Sequence, residues 1–210
     1  MTLLDLDGYR LVLASASPRR SDLLRSVGLQ FEVLPADIDE SVLRGEVPAD
    51  YVARLSKEKA SKIAAMVDHG IVVAADTTVD VDDQILEKPV DDADVRRMLG
   101  LLSGRTHLVH TGVTVLGPVE AASGVGPART IVVETAVRFV DLTARDLDWY
   151  VSTGDAVGKA GGYGIQGAAG AFVERIDGSV TNVIGLPLAE TLSMLAQALR
   201  RDPPAAAAAL

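Results

Sequence analysis

Ile71 to Ala75 is a run of five apolar residues set between Gly70 and the polar pair Asp76-Thr77, and it constrains the fold more than any other stretch. A strand with no polar position has no face to offer water, so it reads as a central strand. Residues 78–86 then alternate apolar and polar around Asp82-Asp83, the pattern of a hairpin with Asp80, Asp82 and Asp83 as solvated charges. Further strands are expected at 11–14, 31–34, 107–116, 130–140 and 171–176. Apolar residues recur at helical spacing over 18–27, 49–67, 92–102, 143–153, with Thr143 as a cap, and 187–199. Interleaved strands and helices predict an α/β chain with a mixed β-sheet flanked by helices. Residues 35–48 read as a polar, acidic loop, and 117–129, rich in Gly, Ala and Pro, as a mobile loop. Residues 158–170 are glycine-dense, and 203–210 form a low-complexity tail.

At 210 residues the chain suits one large domain or two small interlocked ones. Aromatic residues are only 4%, so the core must be built mainly from Val, Leu, Ile and Ala. A net charge of -9 argues against a broad footprint on nucleic acid and makes local Lys and Arg clusters informative. There is no cysteine, which excludes disulfides and thiolate metal sites. The N-terminus lacks a signal-peptide pattern, and no apolar run reaches the ~18 residues of a membrane span. A cytoplasmic location with no membrane partner is the expectation.

Four stretches have the chemistry of a site. In ASASPRR, residues 14–20, Ser17 and Pro18 start a helix, Ser17 as a cap for a free backbone N–H. Helix N-termini attract anions. Arg19 and Arg20 oppose the helix dipole there, so they serve helix stability poorly but suit phosphate oxygens well. The plainer alternative is a solvated helix start with two surface arginines. In the helix at 49–67, Val52, Leu55, Ile63 and Met66 form the apolar stripe, and at about 100° per residue Lys59 falls inside it while Lys57 points away. An inward lysine needs an anion or must snorkel. Asp76 and Thr77 follow the central strand, where α/β sheets place ligand sites, although a turn cap would also use such a residue. Lys88, extended by Pro89, reaches back over the same place. In GKAGGYGIQG, glycines let backbone approach a ligand, and Gln166 offers both donors and acceptors for a nucleobase edge; a flexible loop has the same composition. The three histidines form no metal pattern and read as structural.

Taken together, ASASPRR, the lysine in YVARLSKEKA, AADTTV followed by EKP, KAGGYGIQG and NVIGLPLAET resemble the Maf family of nucleoside triphosphate pyrophosphatases across residues 11–192. The resemblance implies one domain over 1–202, two-lobed with a central cleft and similar to the inosine triphosphatase fold. It implies a hydrolase that splits a nucleoside triphosphate between its α and β phosphates, releasing pyrophosphate with Mg²⁺ or Mn²⁺. Asp76 then falls on the proton acceptor, Ser15, Arg19, Lys59 and Lys88 on phosphate contacts, and Glu40 on an acidic position assigned with Asp76 to the metal, while Arg20 is expected to bind substrate beside Arg19 in the anion cradle at the helix start. Arg19, Thr77 and Gln166 fall on the places associated with base preference, and that set resembles the dTTP and UTP branch. The 7-methyl-GTP branch instead has Trp near the first place, Gln after the Asp and Glu at the third. Glu87 in place of Gly, Gly158 in place of Asp and a long 117–129 loop depart from the pattern. The same resemblance leaves open a regulator of septum formation that binds a nucleotide without turning it over, and it leaves open a homodimer. No nucleic-acid partner is expected.

Overall fold

The computed structural model describes residues 4–6, 8–120 and 124–199; the 203–210 tail and residues 121–123 of the expected loop lie outside them. In chain order the elements are β1 (Leu11–Leu13), α1 (Pro18–Ser26), β2 (Glu32–Val33), α2 (Pro48–Ala64), β3 (His69–Val81), β4 (Gln84–Leu86) and α3 (Asp92–Leu102). They continue with β5 (Thr106–Glu120), β6 (Gly124–Val125), β7 (Ala128–Phe139), α4 (Ala144–Ser152), β8 (Val173–Asp177), α5 (Val180–Ile184) and α6 (Leu188–Leu199). Two short 3-10 turns, Ala160–Gly162 and Ala168–Phe172, stand between α4 and β8. The strands form one mixed sheet in the order β2-β1-β3-β5-β7-β8, with β4 added beside β3 and β6 beside β5. β1 is parallel to both its neighbours, and the remaining pairs are antiparallel. No helix among the described residues is long and apolar enough to cross a membrane.

Side chains on β3 alternate between two covered faces, as a strand requires. Ile71, Val73 and Ala75 pack with Leu24, Leu186 and Leu195 under α1 and α6. Val72 and Ala74 pack with Ala60 and Ile63 of α2 on the other face. Further along, Val79 and Val81 join Leu99, Phe139 and Tyr150 in a separate cluster against α3 and α4. The few aromatic residues concentrate here: the rings of Phe139 and Tyr163 meet edge-on at 4.9 Å, as do those of His107 and Phe139. At the start of α4 the expected cap is present: Thr143 Oγ1 accepts from the Asp146 amide, and the Asp146 carboxylate accepts from the Thr143 amide.

Several expectations need correction. The central strand does not stop at Ala75; β3 is continuous for 13 residues, because β5 pairs with it from His69 to Asp80. Asp76 and Thr77 therefore lie inside a strand. Asp80 is buried, not solvated, since its side chain turns beneath the sheet toward His110, 3.5 Å away; only Asp82 and Asp83 form the exposed turn, both at positive φ. The 117–129 stretch is largely strand, because β5 and β7 carry their ladder through Leu116–Ala128 and β6 pairs with β5 beyond it. Ser17 occupies the N-cap of α1, but its hydroxyl makes no capping bond. Met66 lies beyond the end of α2 and is exposed. The short helix α5 has no counterpart in the expected elements.

Candidate functional site

β3 has a gap along one edge. β1 pairs with it at Ile71–Val73 and β4 at Val79–Val81, so no described strand flanks Asp76 and Thr77 on that side. After Leu13 the chain leaves the sheet through Ser15 and enters α1. A cavity of about 330 Å³ opens at this gap. Asp76 and Thr77 point to opposite faces of the strand, yet both line the cavity because the edge between them is open.

α2 covers the face that bears Asp76. Gly112 sits opposite Asp76 in the register, and a Cβ there would lie 2.2 Å from the Val52 carbonyl oxygen. That missing methyl lets the helix backbone settle directly on the sheet and carries Lys59 down with it. Lys59 is 6% exposed, and its ammonium reaches Asp76 Oδ1 at 2.5 Å and Glu40 Oε1 at 2.6 Å. Lys88 closes the group by donating to Glu40 Oε2 at 2.9 Å. Burial pushes the Glu40 carboxyl up, but the hydrogen bonds from Lys59 and Lys88 outweigh it and hold the pKa down at about 2. The acidic loop is itself tethered, since the Tyr51 hydroxyl donates to the Glu40 carbonyl at 2.8 Å.

The two adjacent arginines separate. Arg20 is buried, and its guanidinium donates to the Gly185 carbonyl at 2.8 Å, to Ser15 Oγ at 3.0 Å and to Thr77 Oγ1 at 3.1 Å. It fills the gap in the sheet edge and ties three chain segments together. Arg19 is half-buried on the cavity wall, where desolvation lowers its pKa and the Asp155 charge opposes that shift. Thr77 is bonded further to Thr111 Oγ1 at 2.9 Å, and Thr111 also lies 3.1 Å from the Asn182 carbonyl. The end of α5 and Gly185 thus form the floor beneath Thr77.

The glycine-dense segment makes the far wall, with Lys159, Tyr163 and Gln166 among its lining residues. Its first half is pinned by Tyr163, whose hydroxyl meets His107 Nε2 at 2.7 Å. Burial alone drops the His107 pKa to about 4, so the imidazole is a neutral, structural partner, in keeping with its sequence pattern. Asp155 grips it toward both ends, accepting from Lys159 Nζ at 2.6 Å and from the Ala168 amide at 3.1 Å.

Of the residues singled out from sequence, Arg19, Arg20, Glu40, Lys59, Asp76, Thr77, Lys88 and Gln166 all line this one cavity. Ser15 does not; it stands behind the wall, its Oγ accepting from Arg20 and from the Ser17 amide at 3.2 Å, while Ser17 itself lines the cavity. Glu87 is exposed and is not a lining residue, whereas Gly158 is. Sequence reasoning passed over Lys159 and Asp155, and gave NVIGLPLAET, whose Val183–Gly185 form the floor, no role in the site. Lys159 was visible as the one cation within GKAGG, but nothing local marked Asp155.

Among the described residues no three His, Asp or Glu side chains gather as a ready-made metal centre. Glu40 and Asp76 nevertheless meet at one ammonium, so their oxygens face a shared point. Two hard carboxylates are the partial set that Mg²⁺ or Mn²⁺ accepts when phosphate and water complete the shell, so the residues fit such an ion.

Comparison with known proteins gives a consistent picture. Residues 10–198 match the family model described as Maf-like protein. The dTTP/UTP pyrophosphatase of Anaeromyxobacter dehalogenans is 51% identical over 189 residues, 90% of this chain and 94% of that protein. The dTTP/UTP pyrophosphatase of Sphingopyxis alaskensis is 51% identical over 186 residues, 88% of this chain and 94% of its own. Among solved structures, the Staphylococcus aureus Ham1 protein superposes with a TM-score of 0.43 at 14% identity, covering 63% of this chain and 72% of that one. That likeness is too slight to carry an argument.

Proposed function

The chain belongs to the Maf family, and on that premise we propose that it is a nucleoside triphosphate pyrophosphatase acting on dTTP and UTP. The observation that carries this reading is the convergence of Arg19, Lys59, Lys88 and the carboxylates of Asp76 and Glu40 on one cavity in a chain of net charge -9. Such a cavity concentrates a polyanion against the background charge.

The residues divide the work by position. The triphosphate draws Arg19, Lys59 and Lys88 to its oxygens, and these cations offset the charge that builds on departing pyrophosphate. Lys59 and Lys88 reach it by loosening their present ion pairs with Glu40, so substrate replaces one set of anions with another. Asp76, fixed mid-strand and held by Lys59, orients the attacking water and takes its proton as the bond between the α and β phosphates breaks. Arg20 keeps Ser15, Thr77 and Gly185 in register and supports the phosphate and base ends at once. Thr77 and Gln166 read the pyrimidine edge, the latter with an amide free of partners among the described residues. Glu40 and Asp76 would hold Mg²⁺ or Mn²⁺, which would supply Lewis-acid stabilisation of phosphate oxygens.

Pyrophosphate release from a panel of nucleoside triphosphates, with and without EDTA, tests this. Release from dTTP and UTP ahead of purine nucleotides, abolished by chelation, is the expected result. Saturable binding of dTTP with no pyrophosphate formed would overturn it in favour of a nucleotide-binding regulator.

A further inference from the structure

The segment that carries Gln166 is mostly glycine and alanine; Tyr163 and Ala169 anchor it in the core on either side, but the exposed Gln166 and Gly167 between them have no such anchor. Gln166 is exposed and its amide bonds to no described residue. From outside, the backbone between Gly164 and Ala168 is held by two groups, the Tyr150 hydroxyl at Gly164 and the Asp155 carboxylate at Ala168. Asp155 Oδ1 accepts from Lys159 Nζ at 2.6 Å, and the same ammonium also donates to the Asp155 carbonyl. Asp155 Oδ2 accepts from the Ala168 amide at 3.1 Å and from the Tyr150 hydroxyl at 3.4 Å. One side chain therefore grips both ends of the segment, residues 159 and 168, with Gln166 between them.

Two glycines are shaped to this grip. A Cβ on Gly167 would stand 2.2 Å from Asp155 Oδ2, so residue 167 must be glycine for the carboxylate to lie against the backbone beside Gln166. A Cβ on Gly164 would stand 2.9 Å from the Lys159 stem, which packs along the same loop. Apart from the Gly164 bond to Tyr150, whose hydroxyl also donates to Asp155, the hydrogen bonds of the second half, Gly167 amide to Gly164 carbonyl and Gly170 amide to Gly167 carbonyl, are local and tie the loop only to itself. Asp155 also acts on the opposite wall, where its charge attracts the half-buried Arg19 guanidinium. It thereby bears on two of the cavity residues that face the substrate's ends.

We propose that Asp155 is a positioning residue for base recognition: by clamping Lys159 and Ala168 it sets the place of Gln166, and so decides how well pyrimidine and purine triphosphates are told apart. This rests on the pyrophosphatase reading above. Asp155 touches neither the nucleotide nor the reacting atoms; it works through the backbone of residues 164–168. The Lys59–Asp76 group stands on other elements and shares no hydrogen bond with Asp155 among the described residues, so the proton acceptor is not held by the clamp.

The test compares wild type with Asp155→Ala, Asp155→Glu and Gly167→Ala, by pyrophosphate release from dTTP, UTP and GTP and by hydrogen exchange at backbone amides. In Asp155→Ala, exchange at Ala168 should quicken at least ~10-fold, and the dTTP-to-GTP ratio of kcat/KM should fall ~10-fold through KM, with kcat for dTTP little changed. Asp155→Glu, which keeps the charge, should recover part of that ratio. Should Asp155→Ala fail to fold, Gly167→Ala, whose methyl displaces the carboxylate, must lower the ratio in the same way. An unchanged ratio, or equal losses for all three nucleotides, overturns the clamp while leaving the pyrophosphatase reading intact. Wild-type protein that releases no pyrophosphate from dTTP or UTP overturns that reading and the clamp's role in recognition with it.

Discussion

On one side of the cavity, Lys59 and Asp76 project from a helix of 17 residues and a strand of 13, each locked into the core on both sides of the site. On the other side, Gln166 stands in a glycine-rich segment held by Tyr163 just ahead of it and by Asp155 at Lys159 and Ala168. The first wall is placed by regular structure and buried apolar area, the second by two polar clasps. Charges that must stay in register through a reaction need the stiffness of packed elements. A wall that reads a base needs close backbone approach, which glycine allows and apolar packing does not. The two walls should therefore respond differently to substitution: damage on the α2–β3 side should remove stability and turnover for every nucleotide, while damage on the glycine side should change which nucleotide is preferred.

The largest effect should come from Lys59→Met. Removing one partner from a buried ion pair leaves Asp76 uncompensated, and a loss of roughly 3 kcal/mol is expected in urea unfolding, together with turnover. Less than a third of that would mean that the α2–β3 wall does not depend on its charges. Adding Asp76→Asn to Lys59→Met should restore part of the stability, because the uncompensated charge disappears. Asp76→Asn alone keeps the shape and removes the proton acceptor, so kcat should drop at least ~10²-fold for all nucleotides alike. Wild-type turnover in that variant would take Asp76 out of the chemistry.

On the glycine wall, Gln166→Glu should lower kcat/KM for dTTP and UTP ~10-fold relative to purine nucleotides, with the unfolding midpoint unmoved. A uniform fall across nucleotides would erase the contrast between the walls. The smallest effect concerns pH. Glu40 titrates near 2 in the folded chain against an ordinary value of 4.5, so the folded state binds its proton less readily than the unfolded one. Its contribution to stability is complete above about pH 4.5 and fades as pH falls toward 2. Glu40 is partly exposed, and screening keeps that contribution below ~1 kcal/mol. Acid unfolding of Glu40→Gln should therefore begin from a slightly less stable protein and show a shallower slope in that window; an identical slope would place no weight on the Glu40 pairs.

Local pattern was a good guide wherever one residue's surroundings are set by its own element. Lys59 was readable as an inward lysine because helical periodicity alone turns it onto the face of Val52, Leu55 and Ile63. The cap of α4 and the boundaries of α3 and α6 were readable for the same reason. Pattern misled where a long-range partner decided the outcome. Residues 117–120 and 124–125 look like loop, yet pairing with β3 and between β5 and β6 draws them into the sheet. Asp80 looks solvated beside Asp82 and Asp83, yet it falls on the covered face of β3. Ser15 and Arg20 share a motif with Arg19, but only the way β1 departs from β3 turns Ser15 behind the wall and sends Arg20 into the gap.

The sequence by itself determined the mixed α/β architecture, the inward lysine, the acid following the apolar run and the glycine-rich stretch, because each depends on periodicity and backbone preference within a dozen or so residues. Only the tertiary structure decided that β3 passes unbroken through the site, that adjacent arginines divide into a wall and a brace, and that Asp155 clasps the Gln166 segment. Those outcomes depend on which distant strand or carboxylate arrives beside a residue, and hydrogen-bonding partners far apart in the chain leave no mark on the local pattern.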